Sequence, residues 1–365
     1  MINVQFFPSK RIAFYMARLF LVRSFAVLAA LVLILMTLDL LGESGKILAQ
    51  PGNGDSELWR YVSLRIPMLI ARFLPFSVLL GTLITLATLN QHSEVIAMKA
   101  AGISAHQIIA PLIVASLGVA LLSFAFNERV VTRATGALGA WEAVDYGPVP
   151  PETGVSSNVW VYHEGVKILA RQVSGTGDSL VLGRVSVYGR PGAPLDLIVH
   201  ADRARHVAGG WELTNATIID PSGPSRTRAP TYRLPLDVSP HQFTLARVDP
   251  DEQGFMQLRE SIGALKEAGR RTAALEASLW HKISGPASAL LMPLLAGVAA
   301  FGLARSGQLF VRALIGMGLG FAYFVADNFA IAMGNYGAYP AMLAAWGPFL
   351  LFLLIGETVL IRTEE

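Results

Sequence analysis

The chain has 365 residues, of which 53% are hydrophobic and 15% charged, with a mean hydropathy of +0.49 and a formal net charge of +3. A soluble globular chain carries about 25% charged residues, so the composition argues against a wholly soluble protein. The absence of cysteine excludes a disulfide framework, a thiol nucleophile and a cysteine zinc site, and the small, scattered net charge gives no case for nucleic acid.

Charge is unevenly placed. Between Glu128 and Lys282 lie 17 basic and 17 acidic residues, while both ends of the chain are sparse. The pattern predicts membrane-spanning ends around a soluble middle long enough to bury its own core.

Lys10, Arg11, Arg18 and Arg23 precede the first apolar run with no acid among them. Ser24 to Leu38 is uncharged and extends to Leu41 if Asp39 is tolerated near its end; a membrane helix needs about 20 mostly apolar residues. The run is too long for the core of a secretory signal, and Met36-Thr37-Leu38-Asp39 offers no small-residue cleavage site, so it reads as the first span. Gly42-Glu43-Ser44-Gly45-Lys46 imitates a phosphate loop. That loop needs Gly where Leu40 stands and Ser or Thr where Ile47 stands, so no nucleotide site is expected.

Phe73 to Ser93 gives the second span and Ala100 to Asn127 the third. Arg65 and Arg72 are seven residues apart, two helical turns, and share a face. With Arg60, Arg129 and Arg133 they would set positive charge near the outer leaflet. Snorkelling to headgroups is the plainer reading for Arg60 and Arg129, whereas Arg72 is expected to face a cavity.

Between these spans, Ser93-Glu94-Val95-Ile96-Ala97-Met98-Lys99-Ala100-Ala101-Gly102 reads as a short helix stopped by Gly102. Ser104-Ala105-His106-Gln107 then fits a capping box opening the third span. The short helix is either a connector or a docking element, with Val95, Ile96 and Met98 in a partner's groove and Glu94 paired to a basic residue. The residues alone leave both open.

In the middle, Val159 to Tyr162 and Lys167 to Arg171 look like a strand pair around His163-Glu164-Gly165. Val185 to Tyr188, Leu197 to Val199, Trp211 to Leu213 and Ala216 to Ile219 follow, each short, β-branched or aromatic and bounded by turn residues. This spacing favours an antiparallel sandwich or jelly roll. Phe255 to Ala277 reads as a charged helix with Leu258, Ile262 and Leu265 on one face. The seven histidines are scattered without metal-ligand spacing, and Asn215-Ala216-Thr217 is a chance glycosylation match.

Ile283 to Ala304 is the fourth span. Ala313 to Gly356 holds only one charge, Asp327, and divides near Gly334-Asn335-Tyr336-Gly337 into the fifth and sixth. Asp327 would pair with one of the arginines or sit at a helix end, and Gly316-Met317-Gly318-Leu319-Gly320 supplies small residues for helix packing. Basic residues mark cytoplasmic loops. The N-terminal cluster, with Arg305 and Arg312 between spans four and five, therefore puts both termini in the cytoplasm and the middle outside, periplasmic in a bacterium.

The chain resembles the LptF/LptG family of permease subunits of the lipopolysaccharide-export ABC transporter, and its LptG branch more closely than LptF. Ser93 to Gly102 is similar to the family's coupling helix. Ile66-Pro67, Phe73-Leu74-Pro75 and Leu79-Leu80-Gly81 resemble its second helix, Trp280-His281-Lys282-Ile283 with Pro286 the entry to its fourth, and Phe324-Val325-Ala326-Asp327-Asn328 its fifth. The resemblance covers the whole chain. It implies a polytopic α-helical membrane protein with six transmembrane helices, three and three, and an inserted periplasmic all-β jelly-roll-like domain. Residues 1–127 would hold helices 1–3 with the coupling helix at about 92–102, residues 128–278 the periplasmic domain and its connecting helix, and residues 279–365 helices 4–6.

It further implies an LptF-like paralogue, a cytoplasmic LptB-like ATPase dimer that binds the ATP, LptC/LptA-like periplasmic bridge proteins, and lipopolysaccharide as cargo, with no cofactor and no catalysis on this chain. Ser93, Glu94, Val95, Ile96, Met98 and Gly102 would form the ATPase-docking helix. Family members place lysines near the outer end of helix 1 for the lipid's phosphates; here Asp39 and Glu43 stand in that stretch and only Lys46 is basic. Arg65, Arg72 and Arg133 are expected to share that role with Lys46. Two other classes are weaker. A secondary transporter coupled through Asp327 and Arg72 would show a matching pair of broken helices, and an envelope-glycolipid enzyme would need a catalytic grouping beyond isolated residues.

Overall fold

The structure is a computed structural model that describes residues 9–148, 156–163, 166–174, 180–190, 193–207, 209–219, 226–236, 238–240, 243, 248–267, 270–302 and 309–362. The chain divides into two units, one of residues 1–147, 250–262 and 271–365, the other of residues 148–249 and 263–270. Arg305, Glu164 and Gly165 lie outside the described residues.

The helices are α1 (Lys10–Ala49), α2 (Asp55–Gln91), α3 (Glu94–Ala100), α4 (Ala105–Phe126), α5 (Thr132–Glu142), α6 (Phe255–Glu267), α7 (Ala273–Gly297), α8 (Leu309–Asn335) and α9 (Ala341–Arg362). Six helices among the described residues are long and apolar enough to cross a membrane, as expected. The first three outrun their apolar cores. α1 starts at Ser9, whose Oγ accepts from the Ile12 N–H, and includes the Gly42–Lys46 stretch as ordinary helix. α2 begins well before Phe73, and α4 continues through a π turn (Asn127–Val131) into α5. These extensions stay helical because each buries one face: Tyr61 and Leu69 on α2, and Thr132, Leu138 and Trp141 on α5.

Packing between the spans rests on small residues. On α1 every fourth residue from Met16 through Phe20, Ser24, Leu28 and Val32 to Met36 is buried, a single i±4n ridge. The closest approach is Ser24 to Gly81 of α2, where an added Cβ would lie 2.6 Å from the Ser24 Cα and 2.7 Å from its backbone nitrogen. On α8, Gly316 and Gly320 meet Leu83 and Leu79 of α2, while Gly318 faces open space. The glycine run is therefore a packing device, as its spacing suggested. Pro67 and Pro75 within α2 and Pro286 and Pro293 within α7 are all accommodated inside long helices.

The second unit is a six-stranded antiparallel sheet, β1 (Ser156–His163), β2 (Val166–Ser174), β3 (Val181–Arg190), β4 (Ala193–Val207), β5 (Gly210–Ile219) and β6 (Arg226–Leu234), in sequential order. The first hairpin forms as expected, with Val161 opposite Ile168. The order is that of a meander; the Greek-key crossovers of a jelly roll are not among the described strands. Trp211, Leu213, Val187, Val199 and Phe243 lie in its buried core, and the Trp211 indole donates to the Val238 carbonyl at 2.9 Å.

Three strands differ from expectation for physical reasons. Trp211–Leu213 and Ala216–Ile219 belong to one strand, β5; Asn215, at φ 55, resets the alternation between them and donates to Asp202 at 3.1 Å. β4 runs far beyond Leu197–Val199 because its charged half pairs on both sides. β6 carried no apolar signal; among the described strands it pairs with β5 alone, and it is mostly exposed.

Candidate functional site: a short docking helix and a polar cleft

α3 lies between α2 and α4. Ser93 adopts φ 59 and turns the chain sharply after α2. Gly102, at φ +83, closes α3, with its N–H donating to the Lys99 carbonyl at 2.9 Å and that of Ile103 to the Met98 carbonyl at 3.1 Å. Ser104 and Gln107 form the expected reciprocal box at the start of α4, at 3.2 and 3.1 Å. The faces of α3 divide. Val95 is buried within the chain, Met98 is half-buried and Ile96 is 63% exposed. Glu94 accepts a long hydrogen bond, 3.3 Å, from the Tyr15 hydroxyl on α1. Lys99 sits 5.1 Å above the Phe301 ring.

A second constellation joins the ends of α1, α2 and α5. Arg65 donates twice to Asp39, Nε to Oδ2 at 2.9 Å and Nη2 to Oδ1 at 3.0 Å, and the Tyr61 hydroxyl donates to Oδ2 at 2.7 Å. Lys46 pairs with Glu43 at 2.9 Å, and the Tyr146 hydroxyl donates to Glu43 at 2.9 Å. Burial pushes the pKa of Tyr146 upward and the bond to Glu43 adds to it, so the phenol keeps its proton and remains a donor. Arg60 caps the Trp141 ring at 4.6 Å. Two of the predicted lipid contacts, Arg65 and Lys46, are thus matched by acids of the same chain. Arg133 is exposed on α5.

Arg72 lines a cleft of about 560 Å³ built by α2, α4, α5, α7 and α8 with the Pro250-Asp251 segment. Apolar Met68, Leu69 and Pro75 share its wall with His281, Lys282 and Asp327. Asp327 is 8% exposed; its Oδ2 lies 3.9 Å from His281 Nε2, and its Oδ1 is buried with no hydrogen-bond partner. Among the described residues Asp327 pairs with no arginine, and it does not sit at a helix end: α8 continues to Asn335, and the side chain faces α7, which supplies the histidine.

Sequence reasoning missed two pairings, Asp39 with Arg65 and Asp327 with His281. The available signal was that each acid is the lone one in its apolar run, where an ionisable group needs a partner; its identity depends on helix packing. Among the described residues no group of three or more His, Cys, Asp or Glu side chains could hold a metal.

The family described as Lipopolysaccharide export system permease LptF/LptG matches residues 14–362, which takes in every helix and strand described above apart from the first four residues of α1. The chain belongs to this family. It is 26% identical over 313 residues to the lipopolysaccharide export system permease protein LptG of Escherichia coli strain K12, covering 83% of this chain and 84% of that protein. With LptG of Haemophilus influenzae it is 26% identical over 359 residues, covering 93% and 97%. Both of these relatives are LptG proteins.

Proposed function

We propose that the chain is the LptG-type subunit of an ABC transporter that lifts lipopolysaccharide out of the bacterial inner membrane and passes it to a periplasmic bridge. The observation that carries this reading is the family match over nearly the whole chain, set on a six-helix unit with a short helix, α3, between two spans. In this reading both termini and α3 are cytoplasmic and the sheet unit is periplasmic, which the basic residues at 10, 11, 18 and 23 favour. An LptF-like paralogue completes the membrane part, and an LptB-like ATPase dimer binds ATP and engages α3. LptC/LptA-like bridge proteins receive the lipid. Ser93 and Gly102 set the shape of α3, Ile96 and Met98 offer apolar surface, and Glu94 supplies charge at its entry. Val95 anchors α3 to its own chain.

Among the candidate cations, Arg72 and Arg133 fit the lipid role best, because the charges of Arg65 and Lys46 are already answered by Asp39 and Glu43. Arg72 lines the cleft of about 560 Å³, a volume within the range of small-molecule sites. The test is co-purification. An ATPase and a second six-helix permease should copurify with the chain, and Glu94→Lys should abolish ATPase assembly while the permease pair persists. A stable, export-competent chain with neither partner would overturn the reading.

A further inference from the structure

Residues directly opposite one another in an antiparallel sheet share a face. The register sets Trp160, Leu169, Ser186 and His200 in one row across β1 to β4. Their strand neighbours Val161, Ile168, Val187 and Val199 are buried, so the row lies on the outer face. Trp160 is 54% exposed there and stacks on Tyr188, with ring centroids 6.0 Å apart and planes at 23°. Tyr188 in turn meets the His200 ring edge-on at 6.3 Å. His200 is fixed by Ser186, whose Oγ lies 2.8 Å from Nδ1, while Nε2 has no hydrogen-bond partner among the described residues.

Cations flank this aromatic platform at both ends. Lys167 is the cross-strand partner of Tyr188. Arg171 and Arg184 are exposed between the paired rungs Ala170–Val185 and Gln172–Gly183. Asp202 lies between the paired rungs Val185–Ala201 and Gly183–Arg203 and accepts one hydrogen bond from the Asn215 amide at 3.1 Å, so the face carries one acid beside its three cations.

We propose that this face binds an anionic saccharide, with a sugar ring resting on the Trp160–Tyr188 platform and its phosphate or carboxylate substituents held by Lys167, Arg171 and Arg184. An exposed aromatic offers a flat apolar face to the C–H side of a sugar ring, and guanidinium groups pair with phosphate and carboxylate in a forked geometry. A protein partner would call for a broader apolar centre with the charges kept to its rim. Here the aromatics stand among cations. Resting on the permease reading above, the occupant is the phosphorylated sugar portion of the exported glycolipid, contacted outside the sheet's own core.

The experiment uses the assembled transporter in nanodiscs and a deacylated, phosphorylated core oligosaccharide, with its dephosphorylated form as control. Titration calorimetry should show salt-sensitive binding of the phosphorylated probe, weaker at least 5-fold for the dephosphorylated one. Trp160→Ser and the pair Lys167→Glu with Arg171→Glu should each weaken binding at least 10-fold, while Trp160→Phe retains it; near-ultraviolet dichroism checks that each variant keeps its fold. Equal binding by the variants, or none by a wild-type complex that still exports lipopolysaccharide, overturns this proposal and leaves the permease reading intact. So does a photo-crosslinker at position 160 that captures only protein. Failure of the intact assembly to export lipopolysaccharide overturns the permease reading itself.

Discussion

At the scale of single residues, the membrane unit holds its few charges in two contrasting ways. Asp39 is fully used: it accepts two bonds from Arg65 and one from Tyr61, tying α1 to α2. Both side chains keep partial contact with solvent, 29% and 23% exposed, so the pair is worth less than a fully buried one. Asp39→Ala should lower stability by about 1–2 kcal/mol, and adding Arg65→Ala should recover part of that loss. Thermal unfolding of the four members of the double-mutant cycle measures the coupling.

Asp327 is the opposite case. Its Oδ1 is buried and unbonded, and its histidine neighbour is 3.9 Å away, beyond hydrogen-bond distance. Such a carboxylate contributes little to folding, so its place on the cleft wall points to use rather than support. Asp327→Asn should leave the Tm unchanged or higher while lipopolysaccharide release by the assembled complex falls at least 5-fold. A lowered Tm with undiminished release would mark the residue as structural instead.

At the scale of elements, helix contact in this protein depends on where a side chain is missing. Near Gly81 the obstacle is the backbone of Ser24, which has no rotamer to give. Gly81→Ala should therefore force α1 and α2 apart and destabilise by about 1–3 kcal/mol. Gly318→Ala adds the same methyl group with nothing within 4 Å, and a helix interior favours Ala over Gly by about 1 kcal/mol. It should be neutral or stabilising. The contrast, read as Tm in detergent, separates a packing effect from general intolerance of helix glycines. The glycine spacing on α8 pointed to close packing from the chain alone. Which of its three glycines touches another helix did not follow, because it depends on how α8 is rotated against α2.

The strands teach a similar lesson. β1, β2 and β3 were legible because each holds a short β-branched or aromatic run bounded by turn residues. β6 was not: Arg226-Thr227-Arg228-Ala229-Pro230-Thr231-Tyr232-Arg233 has little to bury, and its strand geometry is imposed by the hydrogen bonds that β5 offers along one edge. The division of β5 into two apolar runs misled for a related reason, since one left-handed residue, Asn215, flips the pattern without ending the strand.

At the scale of the whole molecule, the sheet unit has a core of its own, with Trp211 buried against Phe243 at 5.1 Å. A fragment of residues 148–270 should unfold cooperatively in water, followed by tryptophan fluorescence, and Trp211→Ala should cost it about 3–5 kcal/mol. A non-cooperative transition in the wild-type fragment would show that the unit needs the rest of the chain.

The sequence by itself determined the number of spans, the inserted strand-rich segment and the short helix between the second and third spans. These follow from local quantities: apolar run length, short β-branched or aromatic runs bounded by turn residues, and the stop and cap residues Gly102 and Ser104. It did not determine which charges are free. Lys46 and Arg65 look like lipid contacts until Glu43 and Asp39 are seen beside them, and Asp327 looks like an arginine's partner until α8 is seen facing His281. Nor did it show that strand register sets Lys167 opposite Tyr188, on which the exposed Trp160 stacks. Glu43 lies one turn from Lys46 on the same helix, but Asp39 with Arg65 and Asp327 with His281 join residues far apart in the chain, and only the packing of helices decides that they meet.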